Sequence, residues 1–237
     1  MGDNAHRSAG VLSGPARSPR TGLAARRPQE GLKRAPGSTA ASGDLMRLFV
    51  AIAPPSAVLD ELDALVEPLR TGRLDLRWTN REAWHVTLAF LGQVDEAAAA
   101  RLLPRLERAA RRHHQVRLAF AGAGAFPTAV RANVLWSGLS GDRLALGRLA
   151  ESVAAGARRA GAPPPDKHRF QPHLTLARCR MPADVTGLVT ALDGYQGQPW
   201  TADRVHLVRS RLGATEHPRY TSLASWPLRA PPVTTTG

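Results

Sequence analysis

A chain that mixes strands and helices in two similar halves is the fold class this sequence predicts. Three observations lead there. The elements run strand, helix, strand, helix, strands, and then the same kinds follow again. Two nearly identical hexapeptides, Trp84 to Ala89 and Pro172 to Ala177, recur 88 residues apart. No G-x-G-x-x-G or G-x-x-x-x-G-K-[ST] follows any strand, which disfavours the doubly wound nucleotide-binding folds.

The elements follow from local pattern. Arg47 to Ala53 alternates and is rich in strand-forming residues, and Pro54-Pro55 stops it. Ser56 is the expected cap of a helix carrying Val58, Leu59, Leu62, Leu65, Val66 and Leu69 on one stripe. Trp84 to Leu91 reads as a strand ending at Gly92, and Asp95 begins an Ala/Arg/Leu helix running to about His113. Extended runs are expected over Val116 to Phe120 and Asn133 to Ser137. A long helix follows Ser140 and stops near Gly161, since Pro163, Pro164 and Pro165 forbid its continuation. The strand Pro172 to Ala177, a short helix from Pro182 to Leu192, and extended segments Arg204 to Leu212 and Tyr220 to Ser225 complete the order.

These elements occupy 46–229, a length suited to one domain. Residues 1–45 are rich in Ala, Gly, Ser, Pro and Arg, show neither hydrophobic period, and are expected to be a disordered basic extension. The extension admits a use as an RNA-binding arm, and Met46 is an alternative start. Residues 230–237 read as a short disordered Pro/Thr tail. With 43% hydrophobic and 22% charged residues the rest is globular, and no apolar run is long enough to span a membrane. No signal peptide is evident at the N-terminus, so a cytoplasmic protein is expected. The single cysteine, Cys179, excludes an internal disulfide and a thiol-based metal cluster.

The formal net charge is +13, from 32 Lys+Arg against 19 Asp+Glu, and only Lys33 and Lys167 are lysines. Guanidinium groups pair with phosphate and stack on bases, which fits a nucleic-acid partner. A GC-rich genome would produce the same excess of Arg and Ala, so charge alone decides nothing.

The repeated hexapeptides carry the chemistry. Alternation along a strand puts His85 and Thr87 on one face, with Val86, Leu88 and Phe90 expected in the core; His173 and Thr175 stand likewise against Leu174 and Leu176. If the halves pack about a pseudo-twofold axis, the two His/Thr pairs face one another across a cleft. Displacement at phosphorus needs a base for the attacking oxygen and an acid for the leaving one, and two imidazoles can divide those roles near neutral pH. The threonine hydroxyls can donate to the phosphoryl oxygens. A zinc site lacks a third ligand at suitable spacing. His6, His113, His114, His168, His206 and His217 have no such neighbours and read as solvated or structural.

Together these residues resemble the 2H phosphoesterases, which are defined by two His-x-Thr/Ser-x motifs. The resemblance is strongest to the RNA 2',3'-cyclic phosphodiesterase (2'-5' RNA ligase-like) branch. It extends over 46–229 and includes Met46 to Ile52, Arg77-Trp78, Leu88 to Val94, Gly122 to Pro127, Val134-Leu135-Trp136, Phe170-Gln171-Pro172, and Ser210-Arg211-Leu212 to Arg219-Tyr220. It implies a bilobal α+β fold, with an antiparallel sheet and flanking helices in each pseudo-symmetric lobe and the motif strands facing a central groove. It also implies hydrolysis of a terminal 2',3'-cyclic phosphate on RNA to a 2'-phosphomonoester, with no metal and no cofactor. By that likeness His85 protonates the departing 3'-oxygen, His173 activates water, and Thr87 and Thr175 bind the phosphate. The sequence itself does not distinguish acid from base.

Four further residues are candidates for substrate contact. Arg178 has a family counterpart near the substrate base, yet its odd offset from His173 points it to the opposite face of a flat strand. Trp78, Phe49 and Tyr220 can stack a base, with core packing the alternative for Phe49. The expected partners are RNA ends or related nucleotides, and the expected state is a monomer. The same fold also admits 2'-5' RNA ligation, a small cyclic nucleotide as substrate, or RNA-end binding without turnover.

Overall fold

The computed structural model describes residues 45–162, 170–211 and 219–231. Residues 1–44 of the expected N-terminal extension, the triple proline, the C-terminal tail from residue 232, His6, His168 and His217 lie outside the described residues. The strands are β1 (Met46–Ile52), β2 (Leu76–Trp78), β3 (Val86–Val94), β4 (Val116–Pro127), β5 (Ala132–Gly141), β6 (Leu174–Ala183), β7 (Trp200–Ala202), β8 (Arg204–Arg211) and β9 (Arg219–Pro227). The helices are α1 (Ser56–Arg70), α2 (Glu96–Ala110), α3 (Arg143–Arg159) and α4 (Thr186–Asp193).

All strand pairings are antiparallel. The order is β7-β4-β5-β6-β3-β1-β8-β9, and β2 also pairs with β6. One group, β3-β1-β8-β9, meets the other, β7-β4-β5-β6, through Val86 paired with Leu174. The lobes therefore share one sheet path. They are also not successive halves of the chain, because β8 and β9 return beside β1. Val86 and Leu174 are fully buried at this joint, and truncating either to alanine is expected to cost about 2–4 kcal/mol.

The helices cover one face. Leu48, Val50 and Ile52 of β1 join residues of all four helices in one core, while alternation turns Phe49 and Ala51 into a small separate cluster with Val208. That opposite face carries the motif residues. Asp95 caps α2 as its sequence predicts, accepting from the Ala98 N–H at 2.6 Å. Ser56 does not cap α1; it is the first helical residue. Pro55 takes the cap position, its ring-fixed φ of -61° and ψ of 151° supplying the required extended geometry without a side-chain acceptor. β3 runs through Gly92 to Val94 because Gly92, at φ 69°, allows the backbone to bend without ending the pairing. Among the described residues no helix is long and apolar enough to cross a membrane.

Candidate active site

His85 and His173 each stand immediately before a motif strand, β3 and β6. His85 Nδ1 lies 2.7 Å from the Ala83 carbonyl oxygen, and His173 Nδ1 lies 2.8 Å from that of Gln171. A carbonyl can only accept, so Nδ1 is the protonated nitrogen in both rings and Nε2 keeps the lone pair of the neutral imidazole. The short 3-10 turn Arg81–Ala83 presents the first carbonyl; the Gln171-Pro172 step presents the second. The same two-residue relation in both lobes gives the imidazoles the same tautomer.

Aromatic walls back both rings. Phe49 stacks on His85 with centroids 4.7 Å apart and planes at 29°, and Tyr220 meets its edge at 5.2 Å. Phe126 approaches His173 edge-on at 5.0 Å, with Trp136 at 6.1 Å. Burial disfavours the charged form, so His85 is pushed down to about 4 despite the Ala83 hydrogen bond, with His173 and Arg178 adding smaller like-charge contributions. The His173 pKa is lowered for the same first reason, and Arg178 again adds to the shift. Arg178 thus acts on both imidazoles. An anion bound between them would reverse this balance and favour the protonated rings.

Thr87 and Thr175 are half-buried and lie opposite Ala51 and Trp136 respectively. Beyond each threonine the strand bulges. Thr87 pairs with Ala51 and Ala89 with Val50, leaving Leu88 as an extra residue; Thr175 pairs with Trp136 and Ala177 with Leu135, leaving Leu176 extra. An extra residue shifts the alternation by one, so both leucines and the alanines after them are buried. The shift resolves the parity of Arg178, which comes to the same face as Thr175 and is exposed. It also corrects the expectation for Phe90. That ring is 46% exposed rather than in the core, directly across from Phe49 with centroids 6.3 Å apart.

The other candidates divide. Tyr220 joins the His85 group, touching Phe49 at 5.2 Å, and burial raises its hydroxyl pKa so that it remains a donor. Phe49 is only 4% exposed; it supports the imidazole from beneath and does not stand open for a base. Trp78 is not brought to this group. In β2 it pairs with the buried Ala177 and packs toward the main core, while Arg77 pairs with Arg178. Its ring lies under α1, with the Arg70 guanidinium 6.0 Å from its centroid. Of the other described histidines, His113 bonds Ser152 Oγ at 2.8 Å, His114 the Ala230 carbonyl at 2.9 Å, and His206 Ser222 Oγ at 3.3 Å. Among the described residues no group of three or more His, Cys, Asp or Glu is placed to hold a metal ion.

Sequence reasoning missed Phe90 on the site face and the two rings beside His173, Phe126 and Trp136. For Phe90 the available signal was the break in alternation after Thr87, where Leu88-Ala89-Phe90-Leu91 runs apolar without a polar residue between.

Comparison with known proteins gives a consistent picture. The family model described as the 2'-5' RNA ligase superfamily matches residues 54–214. The RNA 2',3'-cyclic phosphodiesterase of Thermus thermophilus is 32% identical over 193 residues, covering 78% of this chain and 91% of that protein. The proteins of the same name from Aquifex aeolicus and Aeropyrum pernix are 33% and 37% identical over 44% and 47% of this chain. The matches span 55% and 61% of those two relatives. A crystal structure of a Thermus thermophilus protein superposes with a TM-score of 0.62 at 31% identity, covering 78% of this chain and 99% of that one. E. coli LigT complexed with 3'-AMP gives 0.64 at 24% identity over 78% and 99%, a likeness of fold.

Proposed function

The chain belongs to the 2'-5' RNA ligase superfamily, and from that premise we propose that it is an RNA 2',3'-cyclic phosphodiesterase working through His85 and His173. The observation that carries the reading is the matched pair of imidazoles. Each has Nδ1 held by the carbonyl two residues back and Nε2 left for proton transfer.

The cyclic phosphate is a monoanion and binds between the two lobes. Thr87 and Thr175 donate hydrogen bonds to its nonbridging oxygens and stabilise the charge that builds up on them in the transition state. His173 Nε2 takes a proton from water as the new oxygen–phosphorus bond forms. His85 Nε2 gives its proton to the 3'-oxygen as that bond to phosphorus breaks, and a 2'-phosphomonoester remains. In the free protein burial keeps both rings neutral; the bound anion supplies the opposing charge that lets His85 hold its proton. The Ala83 carbonyl favours the imidazolium further. Phe90 and Arg178 flank the reacting group, where a ring and a guanidinium suit a nucleobase. Tyr220 and Phe49 hold the His85 ring in place.

Both motif strands come from one chain, which supports action as a monomer, with 46–229 as the catalytic unit in the cytoplasm. The experiment is to incubate the protein with RNA ending in a 2',3'-cyclic phosphate, without added metal or nucleotide, and identify the product. A 2'-phosphate is expected. A 3'-phosphate would overturn the assignment of acid and base, and an unopened ring would overturn the activity.

A further inference from the structure

The motif face of the β3-β1-β8-β9 group continues beyond the His85 cluster. Thr87 lies opposite Ala51, Ala51 opposite His206, and His206 opposite Ser225, and residues paired across antiparallel strands share a face. The row therefore passes from the motif threonine over one small residue to a further imidazole, two strand spacings or about 10 Å away. Arg204 shares the face by alternation, and its Nη1 donates to Ser225 Oγ at 3.1 Å. We propose that Arg204, His206 and Ser222 form a subsite for the first phosphodiester upstream of the reacting end, so that the lobe supplying the acid also carries the strand. The proposal rests on the RNA-end reading and on His85 as the acid, and extends both from a terminus to a strand.

Three observations support it. First, the chemistry has a direction. Attacking and leaving oxygens lie in line across phosphorus, so water enters from the His173 side and the 3'-oxygen departs toward His85. That oxygen stays on the ribose. The ribose, and the strand joined to it through its 5' position, therefore lies toward the lobe of His85.

Second, the two lobes differ beyond their threonines. Thr175 lies opposite Trp136, and Trp136 opposite Gly124. The indole covers that glycine so closely that a Cβ there would meet it at 2.3 Å, and Phe126 packs beside it with centroids 5.3 Å apart. The corresponding places beyond Thr87 hold Ala51 and His206. One lobe closes its row with aromatic rings, and the other continues as a polar shelf.

Third, the shelf has the groups a phosphodiester needs. Arg204 and Ser222 are exposed and His206 is half-buried. A guanidinium carries five N–H donors, of which Ser225 engages one, so donors remain for phosphate oxygens. His206 Nδ1 lies 3.3 Å from Ser222 Oγ, which makes Nε2 the nitrogen for a ligand. Burial lowers the His206 pKa, Arg204 lowers it further, and Asp203 opposes them less strongly, so guanidinium and imidazole are close neighbours. β1, β3, β8 and β9 contain no Asp or Glu to repel an anion.

The test compares three ligands ending in a 2',3'-cyclic phosphate: a mononucleotide, a dinucleotide, and the same dinucleotide with its one linkage made a neutral methylphosphonate. Affinities are measured by competition in His173→Ala protein, which is expected to bind without turnover, and turnover is followed in the wild-type protein. The charged dinucleotide is expected to bind about ten-fold tighter than its methylphosphonate form at low salt, with the difference shrinking as salt rises. Adding Arg204→Ala or Arg204→Glu is expected to abolish that difference and to leave mononucleotide affinity unchanged; adding His206→Gln is expected to narrow it. Equal binding of the two dinucleotides before Arg204 is changed, or a full difference after it, would overturn the subsite, as would an equal loss on all three ligands. If the wild-type protein opens no ring but Arg204→Ala still abolishes the difference, the subsite stands and the proposed reaction falls.

Discussion

Phe90 and Arg178 occupy equivalent places on the two motif strands: each stands two residues past an extra leucine, Leu88 in β3 and Leu176 in β6, and each is exposed on the motif face. The lobes repeat their histidine, their threonine and their bulge, and then differ. One offers an aromatic ring where the other offers a guanidinium. A symmetric pair of imidazoles is thereby accompanied by two unlike neighbours, and under the proposed function these suit a substrate with a phosphate at its centre and a nucleobase on one side.

Phe90→Ala removes an exposed ring and leaves β3 paired, so stability should change little. Loss of base stacking is worth about 1–3 kcal/mol, and KM for a cyclic-phosphate end should rise roughly ten-fold. Steady-state kinetics on purine and pyrimidine ends checks this, and the purine should suffer more.

Thr87→Val and Thr175→Val keep the shape of each side chain and remove its donor. Each is expected to lower kcat by about 10²-fold, with KM less affected, because the hydroxyl matters most as charge develops on the phosphoryl oxygens. Single-turnover rates measured at saturating substrate separate the two effects.

The pH profile follows from the direction of the imidazole shifts. Burial lowers both histidines, His85 to about 4, so both are neutral in the free protein above 6.5. Productive binding needs one ring protonated and one neutral, and that state becomes rarer as pH rises through the lowered values. kcat/KM should therefore peak on the acid side of 6.5 and fall toward alkaline pH. A profile of kcat/KM across roughly pH 4 to 9 checks this; kcat should peak at a higher pH, because the bound anion raises both rings.

Gly124 tests the wall behind His173. A Cβ placed there would meet the Trp136 indole at 2.3 Å, and Trp136 lies against His173. Gly124→Ala must displace that indole and is expected to cost about 1–3 kcal/mol of stability while lowering turnover. Chemical denaturation and activity assays on the same sample should show both losses.

The His/Thr pairs were legible in the sequence because they occur twice, in strands whose apolar alternation is clear over several residues. The main helices were legible for the same reason, since their stripes run for three turns or more. β2 and β7 were not, because three residues carry no period. The faces of Phe90 and Arg178 depend on bulges, and a bulge is defined by the partner strand, Val50 and Ala51 for one and Leu135 and Trp136 for the other. Trp78 was drawn toward the groove by its place beside Arg77, whereas strand alternation turns these neighbours to opposite faces of β2. The extra link between lobes at Val86 and Leu174 likewise depends on tertiary pairing that neither segment signals alone.

Turnover of a cyclic-phosphate RNA end by His85→Ala and by His173→Ala tests the central claim most directly, with circular dichroism to verify that each variant is folded. Each substitution is expected to lower kcat by about 10²–10⁴-fold, with substrate still bound and with chelator leaving the wild-type rate unchanged. A folded variant of either kind that opens the ring at close to the wild-type rate would contradict the two-histidine account.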